Sequence, residues 1–158
     1  MSEANSAAPG HIPESFQRYL KQHMTEDHEK LEGMLDDAAC LVAHRSFYTA
    51  GKRFEDFQIR TEQHMAVEEN IVFPLLETVS PNSPAIAEVK GEHEIIRQAM
   101  ETAAGAIAGT DRERFGRIHG ELAAALTAHT RHEDELVTSA LESCVGAKRE
   151  LLLKIARL

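Results

Sequence analysis

His64-Met65-Ala66-Val67-Glu68-Glu69 and, 65 residues later, His129-Thr130-Arg131-His132-Glu133-Asp134 are the two stretches whose reading decides the fold. A His and a Glu four apart project from one face of a helix, one turn above the other. Each stretch therefore predicts a helix carrying an imidazole and a carboxylate side by side. Apolar residues recur at helical spacing around both pairs. Phe54, Phe57, Thr61, His64, Glu68, Ile71 and Leu75 make one stripe, and Phe115, Ile118, Leu122, Ala125, His129, Glu133, Leu136 and Ala140 make the other. The polar pairs thus lie on the faces that a helical protein would bury.

The offset of 65 extends beyond these pairs. His93 falls on His28, Glu92 on Asp27, Glu94 on Glu29, Ile96 on Leu31 and Met100 on Leu35, while Asp134 falls on Glu69 and Val137 on Val72. Each half reads as a helical hairpin with one His on its first helix and a His-x-x-x-Glu on its second. An internal repeat of this kind points to two copies of one supersecondary unit. Two hairpins packed about a pseudo-twofold axis would gather four His and two Glu at the centre.

The helices are expected at about Glu14–Ala43, Ala50–Thr78, Pro84–Ala108 and Thr110 or Asp111 to about Ser143. The inner stripe of the first is Met24, His28, Leu31 and Leu35, and that of the third is Ile86, Val89, His93, Ile96, Met100 and Ile107. Ser46–Thr49 and Ser80–Pro84 read as turns, Pro84 suits a first helical turn, and Thr110 or Asp111 suits an N-cap. Pro74 predicts a kink or a fresh final turn near the end of the second helix. The chain reads as all-α, an antiparallel up-down four-helix bundle of two pseudo-symmetric hairpins over residues 14–143. A loose tail over 1–13 is expected before it, and a short amphipathic helix over 144–158, carrying Leu151, Leu152, Ile155 and Leu158, after it.

A formal charge of −9, with 17 scattered Lys and Arg, argues against nucleic acid or an anionic membrane as the partner. No apolar run approaches the roughly 20 residues that span a bilayer, and the first residues lack the pattern of a secretion signal. A cytoplasmic protein, monomeric or homodimeric, is the expectation. Cys40 and Cys144 are expected to be buried structural thiols.

Six polar groups at core positions would leave an apolar core badly unsatisfied unless cations sat among them. His28, His64, Glu68, His93, His129 and Glu133 are therefore the candidate metal ligands. Each carboxylate has two oxygens and can serve two ions. Mixed imidazole and carboxylate ligation suits iron, with manganese second, whereas structural zinc usually closes at four ligands and often includes Cys. Six-coordinate iron would leave room for an oxo or hydroxo bridge and one exchangeable position. Of the other histidines, His11, His23 and His44 are expected in solvent, and His119 and His132 at the edge of the last stripe. Asp27 and Glu92, each preceding a candidate ligand, are expected to face solvent or to orient imidazoles.

The segments EDHEKLEGML, EQHMAVEENIVFPLLE, GEHEIIRQAM and AHTRHEDELVTSAL together resemble the hemerythrin-like proteins of the HHE cation-binding family. That resemblance covers roughly residues 15–143. It implies a non-haem di-iron centre in a four-helix bundle, bridged by Glu68 and Glu133, with His28 and His64 on one iron and His93 and His129 on the other. Oxygen-carrying hemerythrins have a further His four from the third-helix ligand, where this chain has Val89 and Arg97. Unless His23, His119 or His132 supplies a fifth imidazole, the irons would be less saturated. This favours reaction with hydrogen peroxide or nitric oxide over reversible dioxygen carriage. Two functions follow. One is a redox-active protein that binds or turns over dioxygen, peroxide or nitric oxide with electrons from a donor protein, in stress response or iron handling. The other is a non-catalytic oxygen or iron sensor, or an iron-binding module, that signals to a protein partner.

Overall fold

Acidic side chains at Asp27 and Glu29 occupy the first turn of helix α1 (Asp27–Ala43), where they oppose the positive end of the helix dipole. Helices α2 (Phe47–Val67), α3 (Phe73–Val79), α4 (Pro84–Ala108) and α5 (Arg112–Ser143) follow, with a π-helical turn (Glu68–Val72) joining α2 to α3. The computed structural model describes residues 26–79 and 81–143, and every regular element among them is helical. The expected tail at 1–13, the first helix before residue 26 with Met24, and the C-terminal helix at 144–158 lie outside the described residues.

The long helices pack as a ring, α1 on α2 and α5, and α4 on α2 and α5. Contacts along neighbouring helices run in opposite residue order: His28 meets His64, whereas Asp37 meets Arg53. Short connections demand this reversal, and both hairpins close in the same way. After α1, Arg45 N–H donates to Val42 O and Ser46 N–H to Leu41 O. After α4, Thr110 N–H donates to Ile107 O and Asp111 N–H to Ala106 O. These are Schellman closures, with Arg45 at φ 60° and Thr110 at φ 54° in the left-handed position. The repeat therefore continues through the turns. Asp111, not Thr110, caps α5 by accepting from Arg114 N–H at 3.0 Å. The first turn is also shorter than expected, since Phe47–Thr49 already belong to α2.

Pro74 has the effect expected of it, but earlier in the chain. A proline ring clashes with the carbonyl four residues back and offers no N–H. The helix widens into the π turn just before it, and Phe73 N–H donates to Glu68 O, five residues back. The wider turn shifts the inner face. Val72, Phe73 and Leu76 are buried, while Ile71, expected inside, is only half-buried. The side chains of Leu75 and Ala140 lie outside the described set. Elsewhere the expected stripes are buried, except that Leu126 takes the inner place beside a half-buried Ala125. Cys40 corrects the sequence reading, because its thiol is exposed. Cys144 lies outside the described residues. No helix among them is long and apolar enough to cross a membrane.

Two apolar clusters result. The larger gathers Leu31, Leu35, Phe54, Phe57, Met100, Phe115 and Leu122, among others. The smaller holds Val72, Phe73, Leu76, Ile86, Val89, Leu136 and Val137. From α2 into the π turn the chain passes from Met65 in the first cluster to Val72 in the second, on α4 from Val89 in the second to Ile96 in the first, and on α5 from Leu126 in the first to Leu136 in the second. The residues between these positions include Glu68, His93, His129 and Glu133. A polar layer thus separates two apolar ones.

Candidate metal centre

All six sequence-predicted residues come together in that layer, and all six are buried. The rings of His28 and His64 lie 4.6 Å apart and those of His93 and His129 lie 4.8 Å apart. Glu68 touches both pairs: Oε1 lies 2.6 Å from His64 Nε2, and Oε2 lies 3.1 Å from His93 Nε2 and 3.8 Å from His129 Nε2. Glu133 does the same through Oε2, at 3.3 Å from His28 Nε2 and 3.9 Å from His129 Nε2. His28, Glu68, His129 and Glu133 each offer a ligand atom within 4.8 Å of the others.

Local sequence explains the convergence. The i, i+4 spacing stacks His64 on Glu68 and His129 on Glu133, while His28 and His93 come from the partner helix of each hairpin. Phe73, brought inward by the π turn, lies against His93 with ring centres 5.5 Å apart. Carboxylates hold the outer ring nitrogens. His93 Nδ1 donates to Glu69 Oε1 at 2.7 Å, and His129 Nδ1 donates to Glu92 Oε2 at 3.3 Å. His64 Nδ1 stands 3.8 Å from Asp27 Oδ2. Asp27 and Glu92 thus serve the opposite helix of their own hairpin rather than the His that follows them in sequence. Their equivalence under the 65-residue offset makes this a repeated feature. Fixing Nδ1 as the donor leaves Nε2 with its lone pair turned inward.

The electrostatics are those of crowded polar groups in a dry place. Burial, reinforced by the neighbouring Glu133, pushes the Glu68 carboxyl up to about 8. Burial would raise Glu133 too, but His28, the Glu68 carboxyl and His129 around it hold it down to about 2. Burial drives His129 down to about 4 and lowers His64. Burial also opposes charge on His28 and His93, yet Glu133 beside the first, and Glu68 and Glu69 beside the second, raise them. Two carboxyls this close ionise unequally because their charges repel.

These residues fit a cation. Among the described residues, Nε2 of His93, Nε2 of His129 and both oxygens of Glu133 are buried with no hydrogen-bond partner. Orphaned polar atoms in a core are costly, and here they all belong to metal-ligating types. A model of the hemerythrin HHE cation binding domain matches residues 17–141. The chain belongs to that family. No curated protein and no solved structure matches the sequence significantly. Against the oxygen-carrying pattern, no fifth imidazole reaches this HHE cluster among the described residues. Val89 is buried in the smaller apolar cluster, and Arg97 turns to Glu62 and Glu69. His119 pairs with Asp36, and His44 lies exposed and bonded to the Cys40 carbonyl. Both ring nitrogens of His132 are engaged elsewhere, Nδ1 donating to Glu92 while Arg131 approaches Nε2 at 2.9 Å. His11 and His23 lie outside the described residues.

Sequence reasoning assigned no task to Glu69 or Arg97. The available signal was the second acid in each His-x-x-x-Glu-acid stretch. It lies about 100° further round the helix than the inward Glu, and so faces the neighbouring helix.

Proposed function

We propose that His28 and His64 hold one iron ion and His93 and His129 a second, with Glu68 and Glu133 shared between them. The protein then binds or reacts with a small molecule such as dioxygen, hydrogen peroxide or nitric oxide, drawing electrons from a partner protein where it turns over. One observation carries this reading: each of two buried carboxylates touches one imidazole of each histidine pair. A carboxylate set between two imidazole pairs can serve an ion at each. Bound iron would supply one-electron chemistry and an exchangeable position.

The chain's own contribution is placement and exclusion. Glu69 and Glu92 orient His93 and His129 so that their Nε2 atoms face the centre. The apolar clusters on either side keep bulk water from the layer, which admits small ligands in preference to large ones. Four imidazoles, rather than five, leave a coordination position to be filled from outside, and this favours reaction over simple carriage.

Dioxygen, peroxide and nitric oxide are to be added in turn to anaerobically reduced, iron-loaded protein while absorbance is followed. Repeated turnover, or a stable adduct with at least one of them, is expected. An iron-loaded protein whose spectrum ignores all three would exclude small-molecule chemistry and leave a structural site.

A further inference from the structure

The two hairpins match in sequence but not in how they support their first-helix histidine. In one, Glu69 accepts from His93 Nδ1 at 2.7 Å, and Arg97 Nη1 holds the same Glu69 oxygen at 3.0 Å. Arg97 is itself anchored, since its Nε meets both oxygens of Glu62 at 3.1 Å. The chain Glu62–Arg97–Glu69–His93 therefore runs from the surface to the cluster without a break. Under the 65-residue offset its counterparts are Thr127, Glu32, Asp134 and His28. The clamping cation is replaced by an acid, and the carboxylate arm is one methylene shorter. The consequence is visible at the ring: His28 Nδ1 is buried with no hydrogen-bond partner among the described residues. Asp134 is near enough for its charge to act on His28, but it makes no hydrogen bond to that nitrogen.

Removing a carboxylate that supports a ligating imidazole typically costs about 10–100-fold in metal affinity, because it fixes the tautomer and raises the basicity of the ligating nitrogen. We infer that Glu69, clamped by Arg97, is a positioning residue that makes the metal position served by His93 and His129 the tighter of the two. The position served by His28 and His64 is the weaker because Asp134 cannot do the same for His28. The inference rests on the two-ion reading above and adds an order of filling to it.

The test is an anaerobic titration of the metal-free full-length chain with ferrous ion against a chromophoric chelator, read as affinities rather than activity. Wild type should take up two ions in steps separated by about tenfold or more. Glu69→Ala should weaken the tighter step by about 10–100-fold and leave the weaker one in place. Asp134→Glu restores the missing methylene on the other side, so it should tighten the weaker step and narrow the gap. This gain also guards against Glu69→Ala simply misfolding. Equal affinities in wild type, or two steps indifferent to both substitutions, would overturn the inference while leaving the two-ion centre standing. A chain that takes up no iron overturns both.

Discussion

The larger apolar cluster and the polar layer beside it are built by the same four long helices, yet they are stable for different reasons. Around Phe54, Phe57 and Phe115 every buried group is content with its neighbours. Phe54 lies 5.3 Å from Phe57 and 6.1 Å from Phe115, ring centre to ring centre. One turn or two along, the same helices bury His28, His64, Glu68, His93, His129 and Glu133, groups that each lose hydration there. The apolar cluster is a reason for the chain to fold. The polar layer is something the fold tolerates, and a cation turns its cost into a binding site.

A ring removed from the apolar cluster should cost the chain most. Phe54→Ala should lower unfolding free energy by about 3–5 kcal/mol, and by the same amount with iron or with chelator present. Denaturant titrations in both conditions check this. A loss that depends on iron would mean that the two regions are not separable.

The next effect lies in the polar layer and changes with pH. Glu68 has its carboxyl raised to about 8 in the folded chain against 4.5 for the free group. A carboxyl raised by folding destabilises progressively as pH climbs from the unfolded value to the folded one. His28 and His93 are also raised, so their stabilisation is present below 6.5 and fades above it, with the same sign. His129, lowered to about 4, acts oppositely but only below 6.5. Between pH 6.5 and 8 the metal-free chain should therefore lose stability as pH rises. One proton linkage contributes at most about 1.4 kcal/mol per pH unit, and Glu68→Gln should flatten the slope by about that much. Melting curves across this window, with chelator, settle it. A slope unchanged in Glu68→Gln would show that Glu68 is not the group that binds the extra proton.

The smallest expected effect is at the turns. Thr110 carries a β-branched side chain at φ 54°, a conformation that costs a non-glycine residue about 1–2 kcal/mol. Thr110→Gly should raise stability by on the order of 1 kcal/mol, with iron or without. Destabilisation by this change would mean that Thr110 makes contacts that outweigh its strain.

Much of this was legible in the sequence because period and repeat carried it. The stripes through Phe54, Leu122 and Met100 follow from helical spacing, and so does the burial of the six polar residues. The 65-residue offset also indicated that both hairpins would be built alike, but the matching turns at Arg45 and Thr110 were not read from it, since the first turn was expected at Ser46–Thr49. Spacing along one helix could not reveal what depends on two. Nothing in the order of residues says that Asp27 faces His64 rather than His28, or that Arg97 reaches from α4 to Glu69. Those contacts are set by how neighbouring helices lie against each other. The π turn was half legible: Pro74 announced a disturbance, but the helix absorbed it before the proline, exchanging Ile71 for Val72 on the inner face. Cys40 misled because a free cysteine is usually buried, and this one falls on the outer face of α1.

The most direct measurement is the metal content and thermal stability of the full chain purified without chelators, before and after iron is stripped. About two iron ions per chain are expected from the six-residue donor set, together with a lower melting temperature once they are removed. Material that holds no transition metal, takes none up, and melts at the same temperature either way would contradict it.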